Sequence, residues 1–298
     1  MTKRGQGKDL GASGLLLLAA AIWGFAFVAQ RAGMDHVGPF LFNGIRFLLG
    51  SLVLVPFLLR RRAKRPMDRR TVFGLLAAGL VLTLAANLQQ VGLVSTTAGK
   101  AGFLTGLYVV LVPLLGLLRG QRLRWAMALA VPLSAAGLYL LSVTGSLRIA
   151  PGDGWILLGA LVWAVHVQLI DWLVGRSYAL VIAVSQFAIC GALSLLVSFA
   201  TEATSLGEIA AAGWSIAYAG VLSVGIAYTL QVVGQRHVEP SRAGVMLSLE
   251  GVFAALGGWV VLGERLSTRS LVGCGLMLAA MILAQARLRA RGRVPQVP

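Results

Sequence analysis

The chain has 298 residues, 58% of them hydrophobic and 12% charged, against roughly 25% charged in an ordinary soluble domain. A core of this size cannot hide so many apolar side chains, which excludes a soluble globular protein and assigns the surplus to a bilayer. The net charge of +16 would suit a nucleic-acid binder, but the positions of the basic residues decide against that class.

A spanning helix needs about 20 mostly apolar residues, and stretches free of Asp, Glu, Lys and Arg predict ten of them after a basic tail at residues 1–9. Span 1, Leu10 to Gln30, follows Lys3, Arg4 and Lys8 as a signal peptide would, but it is long and nine spans follow, so it reads as an uncleaved helix. Span 2, His36 to Leu59, is interrupted by Arg46. After seven basic residues come span 3, Thr71 to Gly99, and span 4, Ala101 to Leu118; three more precede span 5, Trp125 to Leu147. Spans 6, 7 and 8 are Gly154 to Ile170, Ser177 to Thr201 and Ile209 to Gln235. Span 9, Ala243 to Gly263, is interrupted by Glu250, span 10 is Ser270 to Ala286, and residues 287–298 form an Arg-rich tail. With the N-terminus cytoplasmic, 20 of the 26 basic residues fall on the cytoplasmic side and five outside, with Arg46 alone inside a span. That asymmetry is the positive-inside rule, and it places both termini in the cytoplasm. Cys190 and Cys274 lie in spans with no Cys or His at metal spacing, so buried thiols are expected and no metal or cofactor.

Residues about 140 apart match in order along the chain. Ile22-Trp23 answers to Val162-Trp163, Arg46-Phe47 to Gln186-Phe187, and Gln89-x-x-Gly92 to Gln231-x-x-Gly234. Lys100-Ala101-Gly102 answers to Arg242-Ala243-Gly244, and Arg122-Leu123 to Arg265-Leu266. The halves are 10–147 and 148–286. Each holds five spans, an odd number, so the second enters the membrane from the opposite side. The expected fold is all-α, ten transmembrane helices in two inverted five-helix repeats, an arrangement that secondary transporters use to build a midplane site.

These motifs resemble the drug/metabolite transporter superfamily, specifically its ten-helix EamA-type members. The resemblance runs from Gly14 to about Ala286. It rests on Ile22-Trp23-Gly24, Ile45-Arg46-Phe47, Lys100 to Phe103, Tyr108 to Pro113, Gly225 to Tyr228, Leu247 to Glu250 and Leu262 to Leu266. It implies a bundle whose central cavity is lined by spans 1, 3, 4, 6, 8 and 9. It also implies transport of amino acids, drugs or other metabolites, with cousins that exchange sugar phosphates or nucleotide sugars. One departure is Gly251, where the family commonly has Pro after Leu-Glu; without the proline a break in span 9 is not assured.

Charges inside a span cost about 2.5–3.5 kcal/mol on insertion scales, so Glu250 and Arg46 each need a reason. Glu250 lies roughly 12 Å deep in span 9 at about 1.5 Å per residue. It reads either as a proton or cation site in the cavity or as a structural partner of Arg46. Lys100 and Arg242 open spans 4 and 9 at matched positions, where a cation opposes the helix dipole unless an anion intervenes. An anion site and simple snorkelling both fit. Trp23 and Trp163 lie far from the interfaces where Trp collects and are expected to face each other across the cavity. Asn87, Gln90, Thr105, Tyr108, His166, Tyr228 and Gln231 complete the expected lining. Gly102-x-x-x-Gly106 and Gly244-x-x-x-Ser248 are expected to let spans 4 and 9 cross closely.

Two motifs mislead. Gly92 to Lys100 has the wrong glycine spacing for a phosphate-binding loop, and Ala101 stands where Ser or Thr is needed. His166 and Asp171, five apart, point about 140° from each other on one helix, so an enzyme is not expected. The reading is a multi-pass secondary transporter of the bacterial plasma (inner) membrane, moving a small metabolite, amino acid or drug by alternating access. Export of amphipathic cargo is preferred, and proton coupling through Glu250 and passive exchange both remain open. Its partners are a small molecule, lipid and, in the coupled case, protons, with no nucleic acid. The alternatives are an anion exchanger using Lys100 and Arg242, and a structural or receptor-like membrane protein.

Overall fold

The computed structural model describes the backbone of residues 3–60, 67–96, 98–121, 125–142, 151–203, 205–262 and 267–285. The Arg-rich tail, the Arg265-Leu266 motif, the junction 143–150 between the expected repeats and the Lys100 side chain lie outside the described residues. Among the described residues all regular structure is helical. The helices are α1 Lys3–Gly33, α2 Pro39–Leu59, α3 Arg69–Val94, α4 Ala98–Gly106, α5 Tyr108–Leu118 and α6 Trp125–Ser142. Next come α7 Asp153–Val174, α8 Ala179–Thr201, the short α9 Leu206–Ala211, and α10 Gly213–Ala217 running through a π-helix, Tyr218–Tyr228, into α11 Thr229–Gly234. The series ends with α12 Pro240–Leu247, α13 Glu250–Leu262 and α14 Thr268–Gln285.

Six runs are long and apolar enough to cross a bilayer, and they coincide with spans 1, 2, 3, 6, 7 and 8. Leu104–Leu118, Trp125–Leu140 and Thr268–Ala284 are apolar but shorter, and span 9 is divided between α12 and α13. Spans 4 and 9 are each broken part-way, at Leu107 and at Ser248–Leu249. Leu52, Phe57, Phe73, Leu80, Phe199 and Ile282 turn large apolar side chains outwards, a surface that belongs in lipid. Trp125, Trp155, Trp214 and Trp259 are exposed near helix ends, as interfacial tryptophans are. Trp163 is instead buried and Trp23 half-buried, each well inside its helix.

Helix starts follow local chemistry. Asp68 caps α3 by accepting from Thr71 N at 2.9 Å, and its bonds to Thr71 hold the carboxyl below the usual carboxylate range. The start of α2 has Pro39 at its first position but no side chain of its own to cap it. Glu202, just past the end of α8, does this from a distance, accepting from Phe40 N at 2.9 Å and Leu41 N at 2.7 Å. One carboxylate thus satisfies two orphan N–H groups and ties α2 to α8.

The packing partners come in pairs. Helix α2 lies against α8, and α6 against α14; α3 lies against α7, while α1 lies against the π-helix and α11. Helix α1 also meets α12 and α13, while α7 meets α4 and α5. Glycines mark where backbones touch. A Cβ on Gly24 would stand 2.7 Å from Glu250 O, one on Gly92 2.7 Å from Gly152 O, and one on Gly50 2.9 Å from Gly220 O. The Gly102, Gly106 and Gly244 positions expected to make the closest crossing have more room, with nearest atoms at 3.8, 3.1 and 3.6 Å. The reason is that each sits just before a helix break, so its close neighbours are side chains rather than a facing backbone.

Glu202→Ala is expected to destabilise the detergent-purified protein by about 1–2 kcal/mol, read as a lowered thermal midpoint, with Glu202→Gln recovering part of the loss. Gly24→Val forces a side chain into the α13 backbone and is expected to cost more than Glu202→Ala in the same assay.

Candidate functional site

Two helix breaks set the site. Helix α4 ends at Gly106 and α5 restarts at Tyr108, with Leu107 between them as a turn. Helix α12 ends at Leu247 and α13 restarts at Glu250. Three-residue hydrogen bonds close both turns, Val110 N to Leu107 O at 3.0 Å and Gly251 N to Ser248 O at 3.2 Å. The break in span 9 therefore forms without a proline. Ser248 Oγ donates to Val245 O at 2.9 Å, a back-bond that bends helices, and Gly251 adds a poor helix former. Tyr108 and Glu250 are the first residues of the two restarted helices, and a carboxyl there suits the positive end of α13.

Around these breaks lies a cavity of about 40 Å³. Its wall includes Trp23, Arg46, Thr105, Tyr108, Trp163, Tyr228, Gln231 and Glu250 from the sequence reading. It also includes Phe27, Gln30, Gln89, Val167, Ser223 and Leu247, which that reading passed over. Such a volume holds a few waters, well under the roughly 300 Å³ of a typical ligand site. A wider recess of about 520 Å³, lined by Leu117, Gln121, Asp171, His237 and Glu239 among others, opens on the face that carries the connections after α5 and α11.

Tyr228 explains why the cavity is small. The π-helix ends on it, and its ring sits 4.6 Å from that of Trp23 and 5.9 Å from that of Trp163, with Phe187 at 5.7 Å and Phe47 at 6.0 Å. The two tryptophans thus meet the same phenol ring instead of an open gap. Their N–H groups are used differently. Trp163 Nε1 donates to Gln89 Oε1 at 2.8 Å, whereas Trp23 Nε1 donates to the Ser223 carbonyl at 3.2 Å.

Polar groups divide into two sets. On the wall, Thr105 Oγ1 and Gln231 Oε1 are buried with no hydrogen-bond partner among the described residues, and the Tyr108 hydroxyl lies beside the Glu250 carboxyl. Away from it, Asn87 turns towards α2 and α8, accepting from Asn43 Nδ2 and donating to Ser194 Oγ, both at 2.8 Å. Gln90 is buried against the Gln30 carbonyl. His166 shares a 2.7 Å hydrogen bond with Gln186 Oε1. Arg46 is not paired with Glu250: its Nε donates to Asn43 Oδ1 at 2.8 Å and its guanidinium lies 4.8 Å from the Phe47 ring centre. Arg242 is half-buried on α12, outside the cavity wall. Gln89 was within reach of the sequence, since the internal repeat matches it to Gln231.

The sequence profile of the EamA-like transporter family matches residues 11–143 and again 150–285. The chain belongs to the EamA-like transporter family. Among relatives of this EamA-like protein, an uncharacterized transporter of Archaeoglobus fulgidus is 33% identical over 283 residues, covering 94% of this chain and 86% of the relative. The uncharacterized inner membrane transporter YedA of Escherichia coli K12 is 26% identical, covering 91% and 89%. The uncharacterized transporter YoaV of Bacillus subtilis is 23% identical, covering 90% and 94%. A solved crystal structure shares the fold with a TM-score of 0.78 at 21% identity, covering 92% of this chain and 96% of the other. With its apolar helices, the EamA-like chain is a multi-pass integral membrane transporter.

Tyr228→Ala is expected to open the space between Trp23 and Trp163 to water and shift tryptophan emission to the red, whereas Tyr228→Phe keeps the ring and leaves the emission at its wild-type position.

Proposed function

We propose that this transporter carries a small amphipathic metabolite across the plasma membrane by alternating access, the two halves rocking about the cavity between the two broken helices. The observation that carries this reading is the match between the breaks. They lie about 140 residues apart in the two halves, and both open onto one small central space with aromatic walls and a buried carboxyl, Glu250. In a bilayer, broken backbone persists only where protein or a water-filled cavity surrounds it, which is why transporters put breaks at their substrate sites.

The inverted repeat has further support. The family profile matches twice, and the packing pairs are those a two-fold exchange of halves would produce, with α2 against α8 and α6 against α14 as self-related contacts. The distribution of basic residues supports cytoplasmic termini and, with them, a cytoplasmic position for the 520 Å³ recess. On that orientation we read the structure as a state open inwards, in which the Gly92–Gly152 contact and the 3.0 Å hydrogen bond from Thr96 Oγ1 to Asp153 Oδ1 would hold the outer side. The relative annotated by its name as an inner membrane transporter favours the bacterial inner membrane. Anion exchange through Arg242 has less support, because that residue stands off the cavity wall.

Glu250 is the coupling group in this scheme: it is 4% exposed, faces the cavity and makes no ion pair among the described residues. Purified protein in proteoliposomes is expected to show saturable uptake from a mixture of labelled amino acids, amines and other small metabolites, increased by a pH gradient. Glu250→Gln is expected to abolish the response to the gradient, by at least about tenfold in initial rate. Uptake that is saturable but equal in both proteins, with and without the gradient, would remove Glu250 from the coupling role.

A further inference from the structure

Building on the transport reading above, we infer that Arg46 is a carboxylate anchor in the central cavity, and that the cargo is a small organic monocarboxylate with an apolar body. Arg46 is 2% exposed and lines the cavity. Only its Nε has a partner, Asn43 Oδ1 at 2.8 Å; no described residue accepts from Nη1 or Nη2. A guanidinium does not shed its proton in a protein, and a buried charge is tolerated only when its hydrogen bonds are met. The two terminal nitrogens therefore need an acceptor that the surrounding side chains do not supply.

What the protein does supply is aim. Asn43, which holds Nε, is itself held by Asn87 at 2.8 Å, and Asn87 is fixed by Ser194 Oγ and the Thr83 carbonyl, each at 2.8 Å. Phe47 and Phe42 flank the guanidinium at 4.8 and 5.6 Å. This relay occupies Nε and leaves the Nη1–Nη2 edge, whose parallel N–H groups match the two oxygens of one carboxylate. The fold does not require a cation at this point. The matching residue in the second half is the neutral Gln186, also buried, which meets His166 with a 2.7 Å hydrogen bond.

The rest of the wall sets the class of anion. Among the described residues the other charged side chain on it is Glu250, an acid, which disfavours a phosphate dianion more than a single carboxylate. Trp23, Tyr228 and Trp163 provide rings against which an apolar or aromatic body packs.

The test is isothermal titration of the full chain in lipid nanodiscs with phenylacetate, its neutral isostere phenylacetamide, and inorganic phosphate. The wild type is expected to bind phenylacetate about tenfold more tightly than phenylacetamide, the worth of one charge-assisted bond, and to ignore phosphate. Arg46→Gln is expected to bring the two affinities within about twofold, and Arg46→Lys to keep only part of the preference, since a point charge lacks the fork. A merely structural arginine would weaken both ligands together and leave their ratio unchanged. If Arg46→Gln does not fold, the wild-type ratio and the Arg46→Lys ratio decide. Equal affinities in the wild type, absence of phenylacetate binding, a preference for phosphate, or a ratio that survives in Arg46→Gln would each overturn the anchor. Saturable uptake of other cargo alongside equal affinities would overturn the anchor and leave the transport reading standing, whereas a carboxylate preference without uptake would do the reverse.

Discussion

The rest of the structure depends on one constraint: inside a bilayer every backbone N–H and C=O must find its partner within the protein. Helices α1, α2, α3, α7 and α8 meet it by staying whole. The breaks at Leu107 and at Ser248–Leu249 meet it with three-residue turns, and with close cover from α1, whose Gly24 allows contact with the Glu250 carbonyl. A side chain at Gly24 would exclude that carbonyl from its place. The cavity exists because two helices stop and restart beside each other, and the groups at the restarts, Tyr108 and Glu250, face it for the same reason.

Positions that the sequence matches between the two halves differ in the interior of the cavity. Trp23 and Trp163 occupy matched places, as do Gln231 and Gln89. Trp163 bonds Gln89, yet Trp23 bonds the Ser223 carbonyl and leaves Gln231 Oε1 without a partner. The π-helix is also confined to one half, since its counterpart α3 is a regular α-helix from end to end. An unpartnered acceptor in a site of low dielectric is costly, and in the proposed alternating-access cycle Gln231 Oε1 is the group that would repartner. Tyr228, wedged against both tryptophans, fills the space that cargo would take, and its displacement is the natural accompaniment of binding.

Much of the architecture was legible in the sequence because lipid imposes a minimum apolar length, and the six longest runs lie where that length placed them. Trp23, Trp163 and Glu250 are conspicuous in the sequence because each has chemistry out of keeping with its depth. The limits have an equally physical cause. A span that is apolar on every side carries little moment, so the sequence does not say which face meets the cavity. Asn87 and Gln90 therefore read as lining although they brace neighbouring helices, while Gln89 beside them and Arg46 on span 2, outside the spans the resemblance puts at the cavity, are on the wall. The break in span 9 was equally hidden, because it comes from the Ser248 back-bond and not from a proline.

The central claim, that two halves exchange access about the broken helices, is tested most directly by paired distances on the two faces. Spin labels would be placed at Leu117 and His237, which line the open recess, and at Trp259 and Ser95, their matched positions in the other halves, in a background without Cys190 and Cys274. The account predicts opposite changes as cargo and gradient are varied: the first distance shortens as the second lengthens, each switching between two populations. Distances that stay fixed under every condition, or that lengthen and shorten together, would contradict it.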